Sequence, residues 1–124
     1  MEEWAQFHFD PQTLIVHKKY FGEIDINKIK RSWDSFVYIG EIPDNYTGLI
    51  IDYRKAKIVA ELTEYLKLVS YYKQHTEVFG DKRIAFVVQN PEDIVRTILF
   101  EKKSEGFNIS NFSTIEAAEK WILS

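Results

Sequence analysis

The chain has 124 residues, no cysteine and a net charge of −3, with 45% hydrophobic, 15% aromatic and 28% charged residues. A chain of this size buries roughly two-thirds of its unfolded surface, so a single domain over residues 1–124 is expected. Lack of cysteine excludes disulfides, thiolate metal sites and a cysteine nucleophile, and the acidic balance argues against a general nucleic-acid binder.

The start, Met1-Glu2-Glu3-Trp4, is acidic where a signal peptide needs a positive charge and an apolar run. No stretch approaches 18 apolar residues, so no membrane span is expected and a cytoplasmic protein is the consistent reading. Residues 4–9 alternate apolar and polar positions, and residues 13–21 form a second β-rich run. Asp10-Pro11-Gln12 between them has turn chemistry, which predicts a hairpin that ends at Gly22.

Asp25 is placed to cap a first helix, with Ile24 and Ile29 clamping its entry. Ile26, Ile29, Trp33 and Phe36 follow at helical spacing, and Gly40 and Pro43 stop the helix. Leu49-Ile50-Ile51, ending in Asp52-Tyr53-Arg54, reads as a central strand buried on both faces. Residues 59–79 are expected to form the longest helix, ended by Gly80, and 84–88 another inner strand. Asn90-Pro91-Glu92-Asp93 has the cap, the proline and the acids of a helix start. Ile94, Val95, Ile98 and Leu99 are the expected buried face of that helix, which Gly106 ends. Residues 107–112 alternate as a last strand. Ser113-Thr114-Ile115-Glu116 then reads as a capping box for a C-terminal helix burying Ile115, Ala118, Trp121 and Ile122. The pattern predicts an α/β fold: one mixed sheet of about five strands, an N-terminal hairpin followed by β-α-β-α-β-α units, flanked by four helices.

With these elements in place, the chain resembles a small bacterial SpoIIAA-like protein of the STAS group, named for sulfate transporters and anti-sigma-factor antagonists. The resemblance spans the whole chain. It rests on the element order, on Leu49-Ile50-Ile51-Asp52 with Arg54, on Arg83-Ile84-Ala85-Phe86-Val87-Val88, and on the ending Phe112…Glu116-Ala117-Ala118-Glu119-Lys120-Trp121-Ile122. It implies a domain that binds proteins or small ligands. Phospho-switch members of the group carry a serine in an Asp-Ser-Ser-Gly motif at the start of the helix after the central strand. The corresponding stretch here, residues 52–62, has no serine or threonine, so that switch does not carry over. Glu61 lies near the expected position, where a permanent negative charge is one alternative.

Two surfaces stand out. In open α/β sheets ligands bind at the carboxyl ends of the inner strands. Those positions hold Asp52, Arg54, Lys55, Gln89 and Asn90, a candidate site for a phosphate-bearing or other anionic ligand. The plainer alternative is that Asp52 and Arg54 pair with each other and Asn90 only caps its helix. On the long helix, Tyr65, Leu68, Tyr71 and Tyr72 widen the apolar arc beyond what one sheet needs, which marks a candidate protein interface or homodimer face. Alternatively, neighbouring helices or the loop around Tyr46 cover them.

His8, His17 and His75 are scattered, the first two on different hairpin strands at positions not expected to oppose, so no metal site is expected. No nucleophile elbow, phosphate-cradling glycine loop or zinc-protease motif occurs. The expectation is a domain without catalysis or cofactor that docks on an unknown protein partner or on itself. A carrier or sensor of a small lipid or phosphate-bearing ligand is the alternative.

Overall fold

In the computed structural model, which describes residues 3–39 and 44–124, five strands form one mixed sheet in the order β1-β2-β3-β4-β5. The expected helix stops at Gly40 and Pro43 lie outside the described residues.

Strands β1 (Ala5–Phe9) and β2 (Ile15–Ile24) are the antiparallel hairpin. Its turn is longer than the Asp10-Pro11-Gln12 signal implies. The amide of Asp10 donates to the carbonyl of Ile15, that of Leu14 donates to Asp10, and Leu14 takes a φ of 62°. Six residues, 10–15, therefore lie between the last paired positions of the hairpin, and the register sets Phe9 against Val16 and His8 directly against His17. The expectation that these two histidines do not oppose is thereby corrected. Nor does Gly22 end the second strand. It adopts a φ of 73° inside β2 and pairs with Ala56.

Helix α1 (Ile26–Ile39) starts at Asp25, whose carboxylate accepts the Lys28 amide at 2.8 Å, and it buries Ile29 and Trp33. Strand β3 (Gly48–Ile58) pairs in parallel with both β2 and β4 (Arg83–Val87), aligning Leu49 with Ile84 and Ile51 with Phe86. It is therefore central, as its apolar run predicts. It is also longer than expected. Lys19 opposes Asp52 and Phe21 opposes Lys55, so Tyr53 and Arg54 together face Tyr20 alone. This bulge carries the strand on through Ile58, and Arg54, Lys55 and Lys57 lie within it rather than after it.

The connection from β3 to β4 is three short helices instead of the single one expected: α2 (Leu62–Leu66), α3 (Leu68–Gln74) and α4 (Thr76–Phe79). A straight helix would spread its apolar residues over half its circumference. The interruptions at Lys67 and at His75 (φ −128°, ψ 52°) redirect the chain, so that Tyr65, Leu68, Tyr72, Val78 and Phe79 all reach the core. Helix α5 (Pro91–Lys103), β5 (Asn108–Phe112) and α6 (Ile115–Leu123) complete the fold. The α6 cap is Thr114, which accepts the Ala117 amide, one residue later than the Ser113 box predicts.

The two sheet faces are unequal. One side chain set, including Val16, Tyr20, Leu49, Ile51, Tyr53, Ile84 and Phe86, packs under α1 to α5 in the main core. The opposite set, Ile15, Ile50, Ala85 and Val87, packs against Ala118 and Ile122 of α6, with Ile115, Trp121 and Phe112 half-buried around them. No helix among the described residues is long and apolar enough to cross a membrane.

The expected α5 face is overturned at Val95 and Ile98, which are 53% and 38% exposed, whereas Ile94 does pack, half-buried, against the main core. The fully buried residues of α5 are Asp93, Thr97 and Phe100. Two polar side chains take the inner face because each is bonded there. Asp93 accepts the Ile58 amide and an Arg96 guanidinium hydrogen, and the Thr97 hydroxyl donates to the Asp93 carbonyl.

Candidate functional site

Four of the five expected ligand residues are held by the protein itself. Arg54 grips Asp52 with two parallel bonds, Nε to Oδ1 at 3.0 Å and Nη2 to Oδ2 at 2.9 Å, and the Arg54 amide adds a third. As alternate residues of one strand, 52 and 54 lie on the same side. Asp52, buried against the α6 side, raises the guanidinium's affinity for its proton still further. Lys55 is exposed opposite Phe21. The Gln89 amide group donates to the Ser113 carbonyl, and Asn90 accepts the Glu92 amide as a helix cap. The plainer alternative describes this edge: Asp52 with Arg54, and Asn90 on its helix.

A cleft of about 340 Å³ does open at the carboxyl end of the sheet, one step away from those residues. The ends of β2 and β3 and the β3–α2 loop form one wall through Glu23, Lys57, Val59 and Glu61; the first turns of α5 form the other through Glu92 and Arg96. Arg96 is turned inward. Its Nε and Nη2 donate to the Ala60 carbonyl at 3.2 and 2.9 Å, and its Nη1 donates to Asp93 at 3.2 Å. Burial raises the Asp93 carboxyl's pKa, against the lowering effects of the Ile58 amide and Arg96. With Arg96 engaged, Glu23, Glu61 and Glu92 outnumber Lys57 at the rim. This rim favours a cationic or neutral polar group over a phosphate. The sequence signal for it was available in the charges flanking Ile58-Val59-Ala60, but only the true end of β3 locates them.

The expected interface is inside the molecule. Tyr65, Leu68, Tyr71 and Tyr72 are all buried, which corrects their reading as an exposed face. Tyr65 meets the Tyr53 hydroxyl at 3.3 Å, Tyr72 stacks on Phe79 at 3.9 Å, and Tyr71 bonds Asp34 of α1. Burial pushes the Tyr65 and Tyr72 hydroxyls well above the ordinary tyrosine value. The neighbouring helices cover the wide apolar arc, and Tyr46 closes one end by donating to the Val78 carbonyl at 2.8 Å. The large exposed apolar residues lie elsewhere: Val95 and Ile98 on the outer face of α5, Val59 on the loop across the cleft, 46% exposed, and Leu123 at the end of α6.

The true end of β3 also moves the strand-to-helix junction. Glu61 is the N-cap of α2 and makes no side-chain capping bond. Thr63, one residue past the stretch that lacks serine and threonine, sits exposed in the first turn of that five-residue helix.

His8 and His17 form a cross-strand pair with ring centroids 6.1 Å apart, and Glu119 of α6 approaches His17 at 3.7 Å. Partial burial lowers the His17 pKa, with Glu119 opposing and His8 adding to the shift. No group of three or more acidic or histidine ligands suited to a metal ion occurs among the described residues.

No family model matches the chain, and no curated protein matches it. Solved structures do. A crystal structure of an uncharacterized protein of the DUF3478 family with a SpoIIAA-like fold, from Shewanella loihica PV-4, superposes with a TM-score of 0.63. The match is 13% identical and covers 95% of this chain and 91% of the other. The fold of this chain is SpoIIAA-like.

Proposed function

We propose that this chain is a non-catalytic docking domain that engages a protein partner through the outer face of α5 and the neighbouring β3–α2 loop. The observation that carries this reading is the inversion of α5. Its polar Asp93 and Thr97 are buried while Val95 and Ile98, one turn apart, face solvent with Val59 beyond the cleft. A helix that exposes its β-branched apolar residues and spends hydrogen bonds to bury polar ones has an outer face suited to another surface. The partner is a different protein or a second copy of this chain. A cytoplasmic setting is in keeping with a sequence free of cysteine.

A second reading is favoured by the cleft of about 340 Å³, which is large enough for a small polar ligand. Native mass spectrometry on protein purified gently from its host separates the two. In the docking reading the wild type carries a second protein mass that Val95→Asp, Ile98→Asp loses with its thermal stability unchanged. A small retained mass, lost instead in Glu61→Lys, would replace docking with ligand binding. The same spectrum for all three proteins would overturn both.

A further inference from the structure

Lys18 sits in the middle of β2, 1% exposed, with its side chain under α1. Its ammonium nitrogen has no hydrogen-bond partner among the described residues. Aromatic rings surround it instead: Trp33 of α1 at 3.5 Å from the ring centroid, Tyr20 at 4.7 Å and Phe7 of β1 at 5.2 Å. A lysine offers three N–H donors, and none finds an acceptor here.

We propose that Lys18 is a proton-operated latch for helix α1: while its amine is neutral α1 stays docked on the β1–β2 half of the sheet, and protonation of the amine releases α1.

The groups facing Lys18 explain why the response falls on this helix. From β1 the neighbour is Phe7, and β3 aligns Ile51 with it; neither titrates. From β2 comes Tyr20, whose hydroxyl meets Ser32 of α1 at 2.9 Å. The charge that acts on Lys18 is Asp34, also on α1, and that carboxylate accepts the Tyr71 hydroxyl of α3. Among the described residues, the charge that acts on this aromatic cage is therefore one acid, itself bonded to another element. Ring faces return part of the hydration that an ammonium loses, but they accept none of its three hydrogens as an oxygen would. Desolvation lowers the amine's pKa well below 10.5, and Asp34 only partly opposes it.

The direction of the effect follows by linkage. With α1 detached, the amine is solvated and its pKa returns toward 10.5; docked, its pKa lies lower. The detached form therefore binds more protons, and lowering the pH between the two values favours detachment by up to about tenfold per unit. Below the docked pKa the gain stops. Acid thus exposes Trp33, Phe7 and Tyr20, and base closes them in.

The test combines an NMR titration of the Lys18 Cε and Nζ signals with amide hydrogen exchange on wild type and Lys18→Met. Lys18 is expected to titrate well below the ordinary value. Across that same interval, the wild-type to Lys18→Met ratio of opening constants at Ile29 and Trp33 should rise as pH falls, by up to about tenfold per unit. Amides of Ile84 to Val87 in β4, which open only with global unfolding, should follow the same pH trend at a distinctly higher opening free energy, because global unfolding also solvates Lys18. A Lys18 titration at the ordinary lysine value, a level ratio in α1, or α1 amides that open only together with β4 at the same free energy would each overturn the latch. Should Lys18→Met fail to fold, the titration and the α1-to-β4 comparison in wild type alone separate the same outcomes.

Discussion

The Tyr71 hydroxyl of α3 donates to the Asp34 carboxylate of α1 at 2.5 Å, across 37 positions of sequence. This bond joins the helix over the hairpin to the helices over the sheet centre. Tyr71→Phe removes it while keeping the ring that packs on His75 and Phe79. The expected loss is about 1.5 kcal/mol, because the acceptor is ionised. Urea unfolding measures it; an unchanged midpoint would show that solvent already satisfies Asp34.

Leu68 is 2% exposed at the start of α3. Leu68→Glu therefore buries an unpaired charge, and the expected cost is about 3 kcal/mol or more, read by thermal melting. Light scattering on the same variant discriminates further. A folded protein with a reduced mass would restore this helix as an oligomer face.

Half-buried His17 governs part of the acid response. Burial lowers the His17 pKa below 6.5, so as pH falls the unfolded chain takes up its proton first. Stability is then lost from about pH 6.5 downward, and the loss stops once the folded form also protonates. His17→Gln is expected to flatten this part of the curve of melting temperature against pH. A variant with the wild-type slope would place the response elsewhere.

Gly48 opens β3 where a side chain has no room. A Cβ there would lie 2.6 Å from Ile122 Cγ2 and 2.8 Å from the Arg83 carbonyl oxygen. Gly48→Ala is expected to cost about 1–3 kcal/mol in chemical denaturation. Ile122→Ala should recover only part of it, because the carbonyl belongs to the paired backbone of β4.

Elements announced by turns, caps and apolar runs are legible in the sequence. Asp25, Asn90 and the runs 49–51 and 84–88 do what their chemistry implies. The ends of elements are harder. Arg54-Lys55-Ala56-Lys57-Ile58 looks like a charged loop, yet it is strand: Ala56 and Ile58 pack into the core while Lys55 and Lys57 face a side that α6 leaves uncovered. That one shift separates the expected site from the cleft. The helix faces mislead for a different reason. Buried Asp93 and Thr97 depend on bonds to Ile58, Arg96 and their own helix, and periodicity weighs apolar character without seeing such partners. The tyrosines of α3 look exposed on a straight helix, but the chain bends twice and folds them inward.

The doubled residue opposite Tyr20 makes one step of the central strand tolerant of a change in chain length. Removing Arg54 would turn two residues against one into a one-to-one ladder, with Lys55 to Ile58 still set against Phe21 to Ile24. Ile58 would stay on the core face, and the Arg54 grip on Asp52 would be lost. A residue lost from 55–58 has no such slack: it would turn the side chains beyond it to the opposite face and displace the cleft rim and the α2 start together.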